Sequence, residues 1–207
     1  MKARLVLALL LGAIMLGCSG SEDNRKLMEI DRLMNSGQYA PAVQKSEKYV
    51  QDYPESYKGW TILGWAYLKN DQSEKAEECF DKAISINDKW DNSYVGKGVL
   101  YRQQGKLDQA RESYLKATSL LPDNAEAFSS LVVIELMEGN DQKAVEYGEK
   151  AWALRKDYPS IPANLAIAYH YLGNTAKRDE FYQHANRLGY HDLQAIRDLF
   201  SGKTSLR

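Results

Sequence analysis

Apolar residues recur along this chain at two spacings at once. Over short stretches they return every three or four positions, as on one face of a helix. Whole blocks of them also return every 34 residues. From Tyr57 one block reads Trp60, Leu63, Gly64 and Tyr67, then Ala76, Phe80 and Ala83. A shift of 34 gives Tyr94, Gly98, Tyr101, Gly105, Ala110, Tyr114, Ala117 and Pro122. The next gives Phe128, Leu131, Gly139, Ala144 and Ala151, and the one after Leu165, Ala166, Tyr169, Gly173, Tyr182 and Ala185. Stepping back from Tyr57 gives Leu33, Gly37, Ala42 and Pro54. Each block predicts two helices of about 14 residues and a tight turn. The turn falls at Gly37, Asp71, Gly105, Gly139 and Gly173, residue types suited to the left-handed conformation that ends a helix.

The order bulky, Leu, Gly, aromatic on one helix, then Ala, aromatic, Ala on the next, resembles the tetratricopeptide repeat, over 170 of the 207 residues. That resemblance implies an all-α fold: a right-handed α-solenoid of five tandem helical hairpins plus a C-terminal capping helix. The frames are 23–56, 57–90, 91–124, 125–158 and 159–192, with the capping helix over 193–202 and a tail over 203–207. Small residues such as Gly64, Gly98 and Ala166 let paired helices approach, and aromatics such as Phe80 and Tyr114 fill the space between them. One hairpin cannot bury its apolar face alone, so stability comes from stacking.

Five positions depart from the pattern. Gly148 stands where an aromatic is usual, with Trp152 one turn later as the expected replacement volume. Ser46 and Tyr49 look like a similar exchange. Glu135 replaces a first-helix aromatic, and Arg178 replaces a packed alanine and is expected to snorkel to solvent. Asp192 is expected to cap the last helix, which carries Leu193, Ile196, Leu199 and Phe200 on one side, and Lys203 to Arg207 are expected to fray.

Before the first block, Met1-Lys2-Ala3-Arg4 is a basic head, and Leu5 to Leu16 is an apolar run. Such a run is too short for a bilayer, which takes about 20 helical residues, and it matches a secretory signal peptide over 1–17. Met15-Leu16-Gly17-Cys18 resembles a bacterial lipobox. By that resemblance Cys18 carries the lipid, residues 18–22 form a short tether, and Ser19 favours the outer membrane, with the repeats facing the periplasm. The five Cα-to-Cα steps from Cys18 to Asp23 reach roughly 17 Å, which is expected to hold the first hairpin close to the lipid.

The net charge is −1, and becomes −3 once Lys2 and Arg4 leave with the signal. Acidic and basic residues are interspersed, a balance that argues against nucleic acid as a partner. His170, His184 and His191 have no metal-site spacing, and Cys79 reads as a small core residue. No nucleophile elbow, P-loop or dinucleotide fingerprint occurs, so neither an enzyme, a cofactor, a metal nor a small-molecule substrate is expected.

In tetratricopeptide arrays the first helices line a concave face, with ligand-facing positions at 2, 5, 9, 12 and 13 of the frame. The resemblance carries these onto Lys58, Thr61, Trp65, Leu68 and Lys69, onto Val95, Val99, Arg102 and Gln103, and onto Val133, Leu136, Met137, Ile167, His170 and Tyr171. The family's carboxylate clamp, Lys and Asn at positions 5 and 9 with Lys and Arg on later helices, is absent: positions 5 and 9 read Leu27/Asp31, Thr61/Trp65, Val95/Val99, Ser129/Val133 and Ala163/Ile167. What remains is an apolar trough with Arg102 and Lys58 as anchors, suited to a segment of another envelope protein. The whole resembles the pilotin-type lipoproteins of pilus and secretin assembly, and the small lipoproteins that dock cell-wall hydrolases. The alternatives are a self-associating envelope component and a regulatory subunit of a periplasmic enzyme. The row Trp65, Val99, Val133 and Ile167 also has a plainer reading, as packing between neighbouring first helices.

Overall fold

The alternation of polar and apolar blocks resolves into eleven helices, and no strand, among residues 22–206, the part of the chain that the computed structural model describes. The expected signal peptide and the lipidation site Cys18 lie outside the described residues. Second helices begin at Tyr39, Ser73, Leu107, Asp141 and Thr175, each 34 residues after the last. The five turns predicted to be left-handed are so. Asp71, at φ +58°, is the one among the described residues that is not glycine.

The chain divides into two compact units, through Asp88 and from Lys89. The first holds α1 over 22–35, α2 (Tyr39–Asp52), α3 (Tyr57–Lys69) and α4 (Ser73–Ile86). Its core uses glycine to admit rings. A Cβ on Gly64 would stand 2.7 Å from the Phe80 ring, so α3 and α4 meet at that residue. Ser46 leaves room that Tyr49 takes up one turn later, its ring lying against Gly59 of the following hairpin. The Tyr49 hydroxyl donates to Asp23 of α1 and lies 3.3 Å from Ser56 Oγ. Burial, and then the bond to Asp23, push that phenol up to about 12 against the opposing pull of Ser56.

The second unit holds α5 (Asp91–Gln103), α6 (Leu107–Leu120), α7 (Ala125–Glu138), α8 (Asp141–Leu154), α9 (Ser160–Tyr171), α10 (Thr175–Arg187) and α11 (Leu193–Phe200). Its consecutive helices pack in antiparallel pairs, and α7 also meets α9, the arrangement of a tetratricopeptide solenoid. Gly98 receives Tyr114 as Gly64 receives Phe80. At Gly148 the filler differs from the expected one. A Cβ there would stand 2.6 Å from Leu165 of the next hairpin, so Leu165 occupies the vacated volume. Trp152 instead packs edge-on against Phe181 at 5.8 Å.

The two charged departures both find partners. Glu135, 1% exposed, accepts from Arg111 Nε of α6 at 3.0 Å and from Asn140 at 2.8 Å. Arg111 also bonds Asp108 and Glu138. Arg178 does not simply reach for water. Its guanidinium lies 5.0 Å from the Phe200 ring centroid while Nε donates to Asp179. Asp192 caps α11 by accepting from Ala195 N, and Ile196 and Leu199 are buried under it. In the exposed tail, Leu206 N donates to the Tyr171 hydroxyl at 3.0 Å.

Candidate protein-binding face

Helical periodicity places positions 2, 5, 9, 12 and 13 of each first helix on one stripe. In the first unit, α3 carries Lys58 and Lys69 exposed and Trp65 half-buried, the Trp65 ring edge-on to Phe80 at 5.7 Å. Thr61 and Leu68 are buried, and the Thr61 hydroxyl donates to the Tyr57 carbonyl one turn earlier. Both therefore leave the expected lining, because their side chains are spent on packing and on the helix backbone.

In the second unit the position-9 residues Val99, Val133 and Ile167 are half-buried on α5, α7 and α9. Asn164 draws α9 to α7 by donating to Ser129, at 3.1 Å to Oγ and 3.3 Å to the carbonyl. Met137 is 39% exposed and Gln103 is exposed. Val95 and Leu136 are buried and drop out as packing residues. His170 and Tyr171 are removed for another reason: the chain's own C-terminal segment covers them. The His170 ring stacks on Phe200 at 4.9 Å, and the Tyr171 hydroxyl accepts from Leu206 N. Burial and then nearby Arg178 lower the His170 imidazole from its ordinary value.

Arg102 is half-exposed on this stripe, and no carboxylate pairs with it among the described residues. Facing it are Tyr114 of α6 and Ser130 of α7, two residues absent from the expected lining. The Tyr114 hydroxyl is buried and has no partner in hydrogen-bonding geometry. A sequence signal for it exists. Phe80 holds the same frame position in the preceding hairpin, so packing against glycine needs only the ring, and the hydroxyl of Tyr114 is surplus to it.

The Cys79 thiol is buried, and that burial pushes it up to about 12, out of reach of thiolate chemistry near neutral pH. Among the described residues no group of three or more candidate metal ligands comes together, and no helix is long and apolar enough to cross a membrane.

Family models match in two places, "Tetratricopeptide repeat" over 57–89 and "TPR repeat" over 98–131, each one helical hairpin of the 34-residue series. This chain is built of tetratricopeptide repeats. Such repeats act as protein-interaction scaffolds. The human mitochondrial import receptor subunit TOM70 is 30% identical over 147 residues, 70% of this chain and 24% of that protein. Human protein O-mannosyl-transferase TMTC1 is 30% identical over 134 residues, 63% of this chain and 15% of that protein. The chain thus spans a quarter or less of these curated relatives. Among solved structures, PilF of Pseudomonas aeruginosa aligns with a TM-score of 0.74 at 18% identity, covering 87% of each chain, a likeness of fold.

Proposed function

We propose that this chain is a non-enzymatic adaptor, lipid-anchored at Cys18 on the periplasmic face of the outer membrane, that holds a segment of another envelope protein on its first helices. The observation that carries the binding part is the half-buried apolar row Val99, Val133 and Ile167, at positions where a free-standing hairpin array would place polar groups. Each unit taken by itself keeps fewer candidates than the sequence suggested: Lys58 and Trp65 on α3 of the first, and Val99, Arg102, Gln103, Val133, Met137 and Ile167 on the first helices of the second.

The anchoring part rests on the Met15-Leu16-Gly17-Cys18 junction. A place in pilus or secretin assembly rests on the resemblance of the lipobox and repeats to pilotin-type lipoproteins. The match to a mannosyl-transferase covers 15% of that protein, and the residues described here offer packing and binding groups.

Two measurements test the reading. Radiolabelled palmitate should enter the wild-type chain and fail to enter Cys18→Ser. Quantitative mass spectrometry of proteins recovered from envelope membranes should show specific partners lost from a Val99→Gln/Val133→Gln variant of unchanged helicity. Equal recovery by both chains would remove the groove from the account.

A further inference from the structure

The second unit's binding stripe is apolar except at Arg102 and Gln103, and Arg102 carries its one charge with one-sided chemistry. Arg102 offers five N–H donors and can accept nothing. The Tyr114 hydroxyl, at 0% exposure, faces Arg102 and Ser130 yet makes no hydrogen bond in suitable geometry. The Ser130 hydroxyl is engaged, donating to the Glu126 carbonyl at 2.9 Å. Glu126 itself points its carboxylate at Arg155, 2.8 Å away. The Tyr114 oxygen could accept from the guanidinium but does not lie in hydrogen-bonding geometry, so no side chain of this group gives Arg102 a strong acceptor.

The contrast within the second unit is direct. Arg111, Arg155 and Arg178 each hold a carboxylate within 3.0 Å. Arg187 and Arg197 hold no carboxylate but bond His184, Gln194 and Tyr182, whereas Arg102 has neither kind of bond among the described residues. Val99 lies one turn earlier on its own helix, and Val133 holds the equivalent stripe position on α7. Low-dielectric surroundings of that kind strengthen a charge-assisted hydrogen bond and penalise a partner that brings no acceptor.

Building on the proposed binding face, we infer that Arg102, with the Tyr114 hydroxyl behind it, is the specificity point of this face and takes an aspartate or glutamate side chain of a partner segment whose flanking residues are apolar. The guanidinium is the group a partner meets first. The flanking apolar residues lie on Val99 and Val133, and a segment with lysine or arginine in the acid's place is rejected by like charge. The family's clamp holds a C-terminal carboxylate with Lys and Asn at positions 5 and 9 plus Lys and Arg on later helices, whereas Arg102 stands at position 12 and takes a side-chain acid within a segment. Positions 5 and 9 on the same helix are Val95 and Val99.

The test is a selection of phage-displayed random dodecapeptides on the immobilised full chain in detergent micelles. The enriched peptides are then titrated against Arg102→Gln, Tyr114→Phe and Val133→Gln. The expected result is enrichment of sequences with Asp or Glu between apolar residues. These should bind Arg102→Gln about tenfold or more weakly and Tyr114→Phe a few-fold more weakly, while the Tyr114→Phe chain unfolds at an unchanged temperature. Peptides that lose affinity for Val133→Gln but carry no acid, or bind Arg102→Gln as well as wild type, overturn the inference and leave the binding face standing. Peptides indifferent to Val133→Gln overturn both. Enrichment of nothing also overturns both, and self-association abolished by Val133→Gln would then name a second copy as the occupant.

Discussion

Two junctions in the second unit solve one problem with opposite chemistry. Where α8 meets α9, the Tyr169 hydroxyl donates to Glu149 at 2.5 Å, so a ring fills the interface and its one polar atom reaches an acid at the surface. Where α6 meets α7, the same frame position is Glu135, and the preceding hairpin supplies the cation, Arg111. A tyrosine also ties Tyr67 to Glu47 in the first unit at 2.5 Å. The position thus needs a polar tether to the previous hairpin as well as volume. Glu135 keeps the tether and reverses its direction, at the cost of a buried charge that depends on Arg111 and Asn140.

The largest expected effect comes from breaking the reversed tether. Arg111→Ala leaves Glu135 buried with Asn140 as its remaining close donor and should cost about 3 kcal/mol in chemical denaturation. The double variant Arg111→Leu/Glu135→Leu should return to within about 1 kcal/mol of wild type, since a well-packed apolar pair replaces a buried ion pair at little loss. A double variant as unstable as the single would show that the ion pair itself, and not the orphaned charge, governs this junction. Tyr169→Phe should cost less, about 1 kcal/mol, because the ring stays and the lost bond ends on an exposed, screened Glu149.

Smaller again is the alkaline response. Burial, and then the bond to Glu149, raise the Tyr169 phenol, so the folded chain holds that proton more tightly than the unfolded one. Its stabilisation is complete below the ordinary tyrosine value and is lost as pH climbs from about 10 toward the raised value. Amide exchange should therefore accelerate at the α8–α9 junction above pH 10 relative to the α6–α7 junction. The smallest effect belongs to Tyr114→Phe, within about 0.5 kcal/mol of wild type, because the hydroxyl removed has no bond to lose.

The repeat was legible because each hairpin states its own packing: glycine facing Phe80 or Tyr114, alanine on the second helix, a left-handed residue at the turn. Exchanges across hairpins were not. The filler for Gly148 is Leu165, and the partner of Glu135 is Arg111, 24 residues earlier, among many other charges. Nothing in a frame position tells which neighbouring hairpin closes the gap. The candidate face was half legible for the same reason. Val99 and Val133 stand half-buried on the stripe that the frame predicts. Thr61, Leu68 and Val95 were lost to packing, and His170 and Tyr171 were covered by a C-terminal segment outside the repeats.

The most direct test of the whole account is a matched pair of photo-reactive residues in the full chain, expressed in its native envelope and irradiated in place. One replaces Val133 on α7; the other replaces exposed Lys143 on the neighbouring second helix α8. The account predicts a discrete protein adduct from position 133 and none from 143. Adducts from 143 alone would contradict it.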